Sequence, residues 1–133
     1  FGAGSYRPIL LREGRHSPGD VYRFYRAADL CYVGSLHDGM NLVAKEFVEA
    51  REDERGVLVL SECAGAARQL RAALLIDPRN TEKSANALAR GLDMPAVEQA
   101  TRMRLLRANV ATFDTSWWAR QLMSDAAAHR NGS

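Results

Sequence analysis

Cysteine is scarce in these 133 residues, with Cys31 and Cys63 the only two. Two thiols make no disulfide framework, and no metal-ligand spacing accompanies them. They read as small, half-buried thiols in a reducing compartment, so a cytoplasmic location is expected. Cys63 stands at a strand-to-helix transition, where a helix N-terminus would make a thiol more reactive. An excess of one charge is also missing. Eighteen Lys and Arg face sixteen Asp and Glu, a formal charge of +2, which gives no electrostatic case for a nucleic-acid partner. No apolar run approaches the roughly 20 residues a membrane span needs, so no membrane partner is expected. No secretory signal pattern opens the chain. Repeats, low-complexity segments and dividing linkers are absent as well. The remainder, 47% apolar and 26% charged, is ordinary for one soluble globular domain.

The small residues Phe1 to Ser5 read as a loop. Pro8 to Arg12 reads as a short strand led in by proline. Ser17-Pro18 opens a helix to about Ala28, with serine as N-cap and proline at the first helical position. Val21, Phe24, Tyr25 and Ala28 give that helix an apolar face. Leu30 to Ser35 is a second strand. A helix over Leu42 to Glu54 follows, stopped by Gly56. Val57 to Leu60 is continuously apolar, the mark of a strand covered on both faces. Ala64 to Ala67 starts a helix of small residues, and Leu74 to Ile76 is a fourth strand. Asn80 or Thr81 caps a helix to about Leu92, and Met94-Pro95 starts another to about Val110. Asp114 or Thr115 caps a last one carrying Trp117, Trp118 and Leu122. Strands alternating with helices predict an α/β fold with a parallel sheet and right-handed crossovers.

The organising stretch is Ser35 to Glu46. A strand, an Asp-Gly turn and a helix start form a ready anion site, because the first helical amides lack partners and the dipole favours negative charge. A carboxylate beside the turn suits sugar hydroxyls, and Glu46 lies one helical turn after Leu42. Ligands of open parallel sheets bind outside the carboxyl ends of the strands. Two segments meet that rule, Ser35 to Leu42 and Ser61 to Ala67.

The run Asp38-Gly39-Met40-Asn41-Leu42-Val43-Ala44-Lys45-Glu46 closely resembles the donor-site motif of retaining glycosyltransferases related to trehalose-6-phosphate synthase. Tyr25-Arg26-Ala27-Ala28-Asp29, Gly56 to Glu62 and Ala64-Gly65-Ala66-Ala67 flank it in the family's order. The resemblance runs from about Tyr6 to about Met123. It implies a partial Rossmann-like parallel sheet of four strands, the later part of the second domain of a GT-B glycosyltransferase. It further implies that the acceptor domain is absent, together with the first strands of the donor domain and the Arg and Lys that grip the donor diphosphate. Catalysis by this chain alone is therefore not expected.

By that resemblance, Asp38 and the backbone of Gly39, Met40 and Asn41 hold the donor sugar. The amides near Asn41, Leu42 and Val43 face the diphosphate. Glu46 takes the two ribose hydroxyls, and Arg15-His16-Ser17 with Val21 borders the uracil. The implied reaction moves glucose from UDP-glucose to glucose 6-phosphate with retention, with neither a metal nor a protein nucleophile. A glycerol phosphate or cyclitol acceptor stays open. Plainer roles stand beside these: Asp38 as a helix cap, Asn41 as a turn cap, and Glu46 as an exposed carboxylate paired to a cation. Lys45 is expected on the helix surface, paired with Glu49 four residues on. His37 stands where the family often has arginine, and Cys63 where it often has an aromatic residue. Arg102, Arg104 and Arg107 read as a solvated helix face. Trp117 and Trp118 read as packing against the missing domain, and an apolar patch there would favour self-association or a separate acceptor domain as partner. The alternatives to an enzyme part are a nucleotide-sugar sensor or regulatory module, and a fragment without affinity.

Overall fold

The computed structural model describes residues 4–112. In order they form α1 (Pro18–Ala27), β1 (Leu30–Val33), α2 (Leu42–Ala50), β2 (Val57–Ser61), a single 3-10 turn (Gly65–Arg68), β3 (Leu74–Ile76), α3 (Thr81–Leu92) and α4 (Ala96–Thr112). The three strands form one sheet in the order β1-β2-β3. Both pairs are parallel, with Leu30 beside Val57 and Val59 beside Leu74.

β2 is the spine, and all five of its residues are buried. The two-residue period of a strand sends alternate side chains to opposite faces. Leu58 and Leu60 meet Phe47, Val48, Leu70, Met103 and Leu106 on one side. Val57 and Val59 meet Leu74, Ile76 and Met94 on the other, with Leu30, Ala87 and Leu88 of the flanking elements. A continuously apolar strand thus needs helices on both faces, and α2 with α4 and then α3 supply them. Gly91 lets α3 approach closely, since a Cβ there would lie 2.6 Å from Leu30 Cδ1.

Local chemistry sets the helix starts. Ser17 Oγ accepts from the Asp20 amide at 3.1 Å, ahead of Pro18. Asn80 Oδ1 accepts from the Lys83 amide at 2.9 Å. Such caps satisfy amides that have no partner within the helix.

Five expectations change. Pro8 to Arg12 forms no strand; Ile9 and Leu11 are 83% and 81% exposed, and among the described residues no neighbouring strand offers a ladder to pair with. The sheet accordingly has three strands rather than four. Helix α2 stops at Ala50, not Glu54, because Arg51 leaves the helix to bind carbonyls of α1. Gly56, at φ 84°, belongs to the turn entering β2. Ala64 to Ala67 yields only the 3-10 turn, because Gly65 is pressed against the Gly39 carbonyl and Leu70 is drawn into the core.

The basic stretch of α4 is also not simply solvated. Arg102 donates to Ala72 O at 2.9 Å and to Glu98 at 2.8 Å. Arg107 donates to the carbonyls of Val48 and Glu49, at 3.1 and 2.8 Å. Both carbonyls lie in the last turn of α2, where Val48 O also accepts from the Arg51 amide. Arg104 is exposed and pairs with Glu54. The predicted last helix, with Trp117 and Trp118, lies outside the described residues.

Candidate functional site

The carboxyl ends of β1 and β2 each give rise to a loop, and the backbone stitches the two together. The Gly65 amide donates to Asp38 O at 2.9 Å, and the Ala66 amide to Met40 O at 2.8 Å. Ser61 Oγ, fully buried, donates to Ser35 O at 2.6 Å and accepts from the Cys63 amide at 3.1 Å. A Cβ on Gly65 would fall on the Gly39 carbonyl, so only glycine permits this approach.

Asp38 folds the loop around itself. Its Oδ2 accepts from Asn41 Nδ2 at 2.9 Å and its Oδ1 from the Met40 amide at 3.1 Å. The Asn41 amide group first, and then the Met40 N–H, hold this carboxyl below the usual carboxylate range. Asn41 sits at φ 71° and turns its Oδ1 to the Ala44 amide at 2.8 Å. Asparagine tolerates this left-handed region better than most residues. Asn41 is therefore the helix cap, and Asp38 is the support of that cap. The Asn41 side chain is buried and engaged at both ends, so what this residue offers a ligand is backbone. Gly39, Leu42 and Val43 are exposed at the mouth of the helix.

A second part of the site lies between α1 and α2. His16, Val21, Tyr25, Glu46 and Glu49 line a cavity of about 450 Å³. His16, Val21 and Glu46 were anticipated from the sequence, and the structure brings them together here. Tyr25 was not anticipated as a site residue. Its hydroxyl donates to Glu46 Oε2 at 3.1 Å. Its ring packs edge-on against Phe47, with centroids 6.1 Å apart. Burial first, and the Glu46 carboxylate second, push the phenol up to about 12. The sequence held one signal for it: Tyr25 stands four residues after Val21 and so shares its face of α1. His16 packs edge-on against Phe24 at 5.8 Å.

Lys45 is buried rather than on the surface; burial lowers its pKa, and Glu49 acts in the opposite direction. His37 is exposed beside Asp38 and favours its charged form. Cys63 is half-buried, as is Cys31, whose thiol burial pushes up to about 11. Among the described residues no three His, Cys, Asp or Glu side chains cluster as metal ligands, and no helix is long and apolar enough to cross a membrane. A further cavity of about 440 Å³ lies beside β3, lined by Glu62, Asp77, Lys83, Arg90 and Arg102. Arg90 and Arg102 are both tied to Glu98 there, and none of the anticipated site residues reaches it.

A parallel α/β sheet with helices on both faces, and glycine-bearing loops at its strand ends, defines a Rossmann-like fold. Comparisons with known proteins narrow this class. The profile of glycosyltransferase family 20 matches residues 1–128. A trehalose-6-phosphate synthase of Mycolicibacterium gilvum is 46% identical over 124 residues, 92% of this chain and 24% of that protein. An α,α-trehalose-phosphate synthase (UDP-forming) from Burkholderia xenovorans, solved in complex with glucose-6-phosphate, is 41% identical with a TM-score of 0.85, over 90% of this chain and 26% of that one. An E. coli structure bound with UDP-2-fluoro glucose is 34% identical with a TM-score of 0.87, over 93% and 28%. The chain belongs to glycosyltransferase family 20, and its fold is part of the GT-B architecture. It spans about a quarter of the length of these relatives.

Proposed function

We propose that this chain is the donor-binding part of a retaining glycosyltransferase that transfers glucose from UDP-glucose to glucose 6-phosphate. One observation carries the reading. His16, Val21 and Glu46, up to thirty residues apart in the chain, line one cavity. The loop from Asp38 to Val43 lies at the N-terminus of the same helix that carries Glu46. In this reading the uracil lies along Val21 and His16, and the ribose hydroxyls donate to Glu46. The diphosphate meets the free amides of α2, and the sugar meets Asp38 with the backbone of Gly39, Met40 and Asn41. The helix terminus favours the charge that develops on the departing diphosphate. No metal and no protein nucleophile are assigned, and the reaction is placed in the cytoplasm.

The chain alone binds donor without turning it over. The acceptor surface then comes from a separate domain, or from a further copy that completes the assembly. Calorimetric titration with UDP and UDP-glucose tests the reading. Binding is expected for the chain and lost in Glu46→Ala, with no UDP released when glucose 6-phosphate is added. Absence of binding at millimolar ligand overturns the donor role. Turnover by the chain alone overturns its dependence on a separate acceptor domain.

A further inference from the structure

We propose that Tyr25 is a positioning residue for this site, holding the Glu46 carboxylate turned into the α1–α2 cavity for a vicinal diol. The inference rests on the donor reading above and adds a residue that the sequence did not offer.

Glu46 is an exposed helix residue with a flexible side chain. Left alone, such a carboxylate samples several rotamers, and a ligand must order it on binding. Tyr25 removes much of that freedom. Its hydroxyl reaches Glu46 Oε2 at 3.1 Å across the α1–α2 boundary, from 21 residues away. The phenol is itself held, because its ring is set edge-on against buried Phe47. A fixed ring therefore fixes the carboxylate. Each carboxylate oxygen accepts two hydrogen bonds, so Oε2 takes the phenol and still accepts from a ligand, while Oε1 serves the second hydroxyl. Two adjacent hydroxyls match two carboxylate oxygens in the bidentate manner of other planar pairs. The remaining walls suit the rest of a nucleoside: Pro18 and Val21 are apolar and His16 is flat. Tyr25, its pKa pushed up to about 12, stays protonated at neutral pH and so remains a donor.

Tyr25→Phe keeps the ring on Phe47 and removes only the hydroxyl. Its binding of UDP and of 2′,3′-dideoxy-UDP is compared with that of the unaltered chain and of Glu46→Ala. Affinity for UDP is expected to fall about 3- to 10-fold in Tyr25→Phe, the cost of ordering one side chain. Affinity for the dideoxy ligand is expected to stay unchanged, so the preference for the diol narrows. A merely structural role would weaken both ligands alike. Unchanged preference in Tyr25→Phe overturns the inference and leaves the donor reading standing. If the unaltered chain binds both ligands equally, or neither, the donor reading falls and the inference with it.

A ligand-free measurement separates the two failures. The ring 13Cζ signal of Tyr25 is expected to move when the solution is taken from neutral to acid pH, because its hydroxyl donates to the Glu46 carboxylate. Glu49 and His16 line the same cavity, so Glu46→Gln is the control in which that response disappears. If Tyr25 gives the same response in Glu46→Gln, or none in the unaltered chain, the contact is absent and the inference is overturned whatever UDP does.

Discussion

The two halves of the candidate site are held in different ways. The loop between β1 and α2 is anchored by backbone. Its carbonyls accept from the loop after β2, and its cap closes on the first turn of a helix packed against the core. The groove between α1 and α2 is anchored by side chains. Helix α1 has no buried residue of its own. It is held by Arg51, whose Nη1 lies 2.7 to 3.0 Å from the carbonyls of Tyr25, Arg26 and Ala28. Arg26 returns a bond to Ala50 O at 3.2 Å. One half is therefore as rigid as the sheet, and the other is held by a few guanidinium contacts and by the Tyr25 ring set against Phe47. A donor would meet a preformed loop at its sugar and diphosphate, and a more adjustable wall at its base.

The largest effect should come from the rigid half. Gly65→Val puts a branched side chain where the Gly39 carbonyl already lies. Both neighbours are backbone, so neither can swing aside. A loss of about 3 kcal/mol is expected, read as a lower denaturant midpoint with an unchanged slope. A tolerated valine, with stability intact, would mean that the two loops are not stitched together as described.

The other half should break locally. Arg51 is 5% exposed, pairs with Asp53 at 3.1 Å and satisfies three carbonyls. Arg51→Met leaves those acceptors without their donor and removes a buried charge from its partner, at about 2–3 kcal/mol. The contrast with Gly65 lies in where protection is lost. Amide exchange should quicken in α1 well beyond any change in β2. Uniform loss across the sheet would instead make α1 part of the core. Arg51→Lys should rescue little, because an ammonium cannot reach the carbonyls and Asp53 as a planar fork does.

Asn41→Ala tests the cap that joins the halves. It removes the acceptor of the Ala44 amide and forces alanine into a left-handed conformation. About 1–2 kcal/mol is expected from thermal unfolding. Asn41→Gly relieves the backbone but not the cap, so it should fall between the two. If alanine and glycine cost the same, the φ of 71° contributes nothing.

These sites also show what a sequence can disclose. The order of strand, turn and helix around Asp38 was readable because each signal is local: an apolar run, an Asp-Gly turn, a helix face. Ser17 and Asn80 announced their helices for the same reason. The failures are tertiary. Pro8 to Arg12 has the composition of a strand, but a strand needs a neighbour. Helix α2 carries helix-forming residues past Ala50, yet Arg51 abandons it for carbonyls 23 to 26 residues earlier. Arg102 and Arg107 read as solvated because nothing nearby in sequence reveals Ala72 or Val48 as acceptors. Tyr25 passed as part of an apolar face, since its hydroxyl finds Glu46 only after α1 and α2 pack.

The smallest effect expected is a pH dependence from Asp38. Its folded pKa lies below the ordinary carboxylate value, chiefly because Asn41 and the Met40 amide donate to the charged form. The unfolded chain then binds a proton more readily than the folded one, so stability rises with pH wherever the two differ. The contribution is complete above the ordinary carboxylate pKa. It is lost as pH falls through that value and on through the lower folded one. Asp38→Asn should flatten this acid limb and lower neutral stability slightly, because its oxygen still accepts from the Met40 amide while its NH2 faces the Asn41 NH2, a second donor. The carboxylate is solvated, so the change is small and is best read by comparing unfolding midpoints of the two proteins from pH 6 down to about pH 3. Parallel curves would mean that the folded loop does not favour the charge, and that the turn is held by the stitched backbone alone.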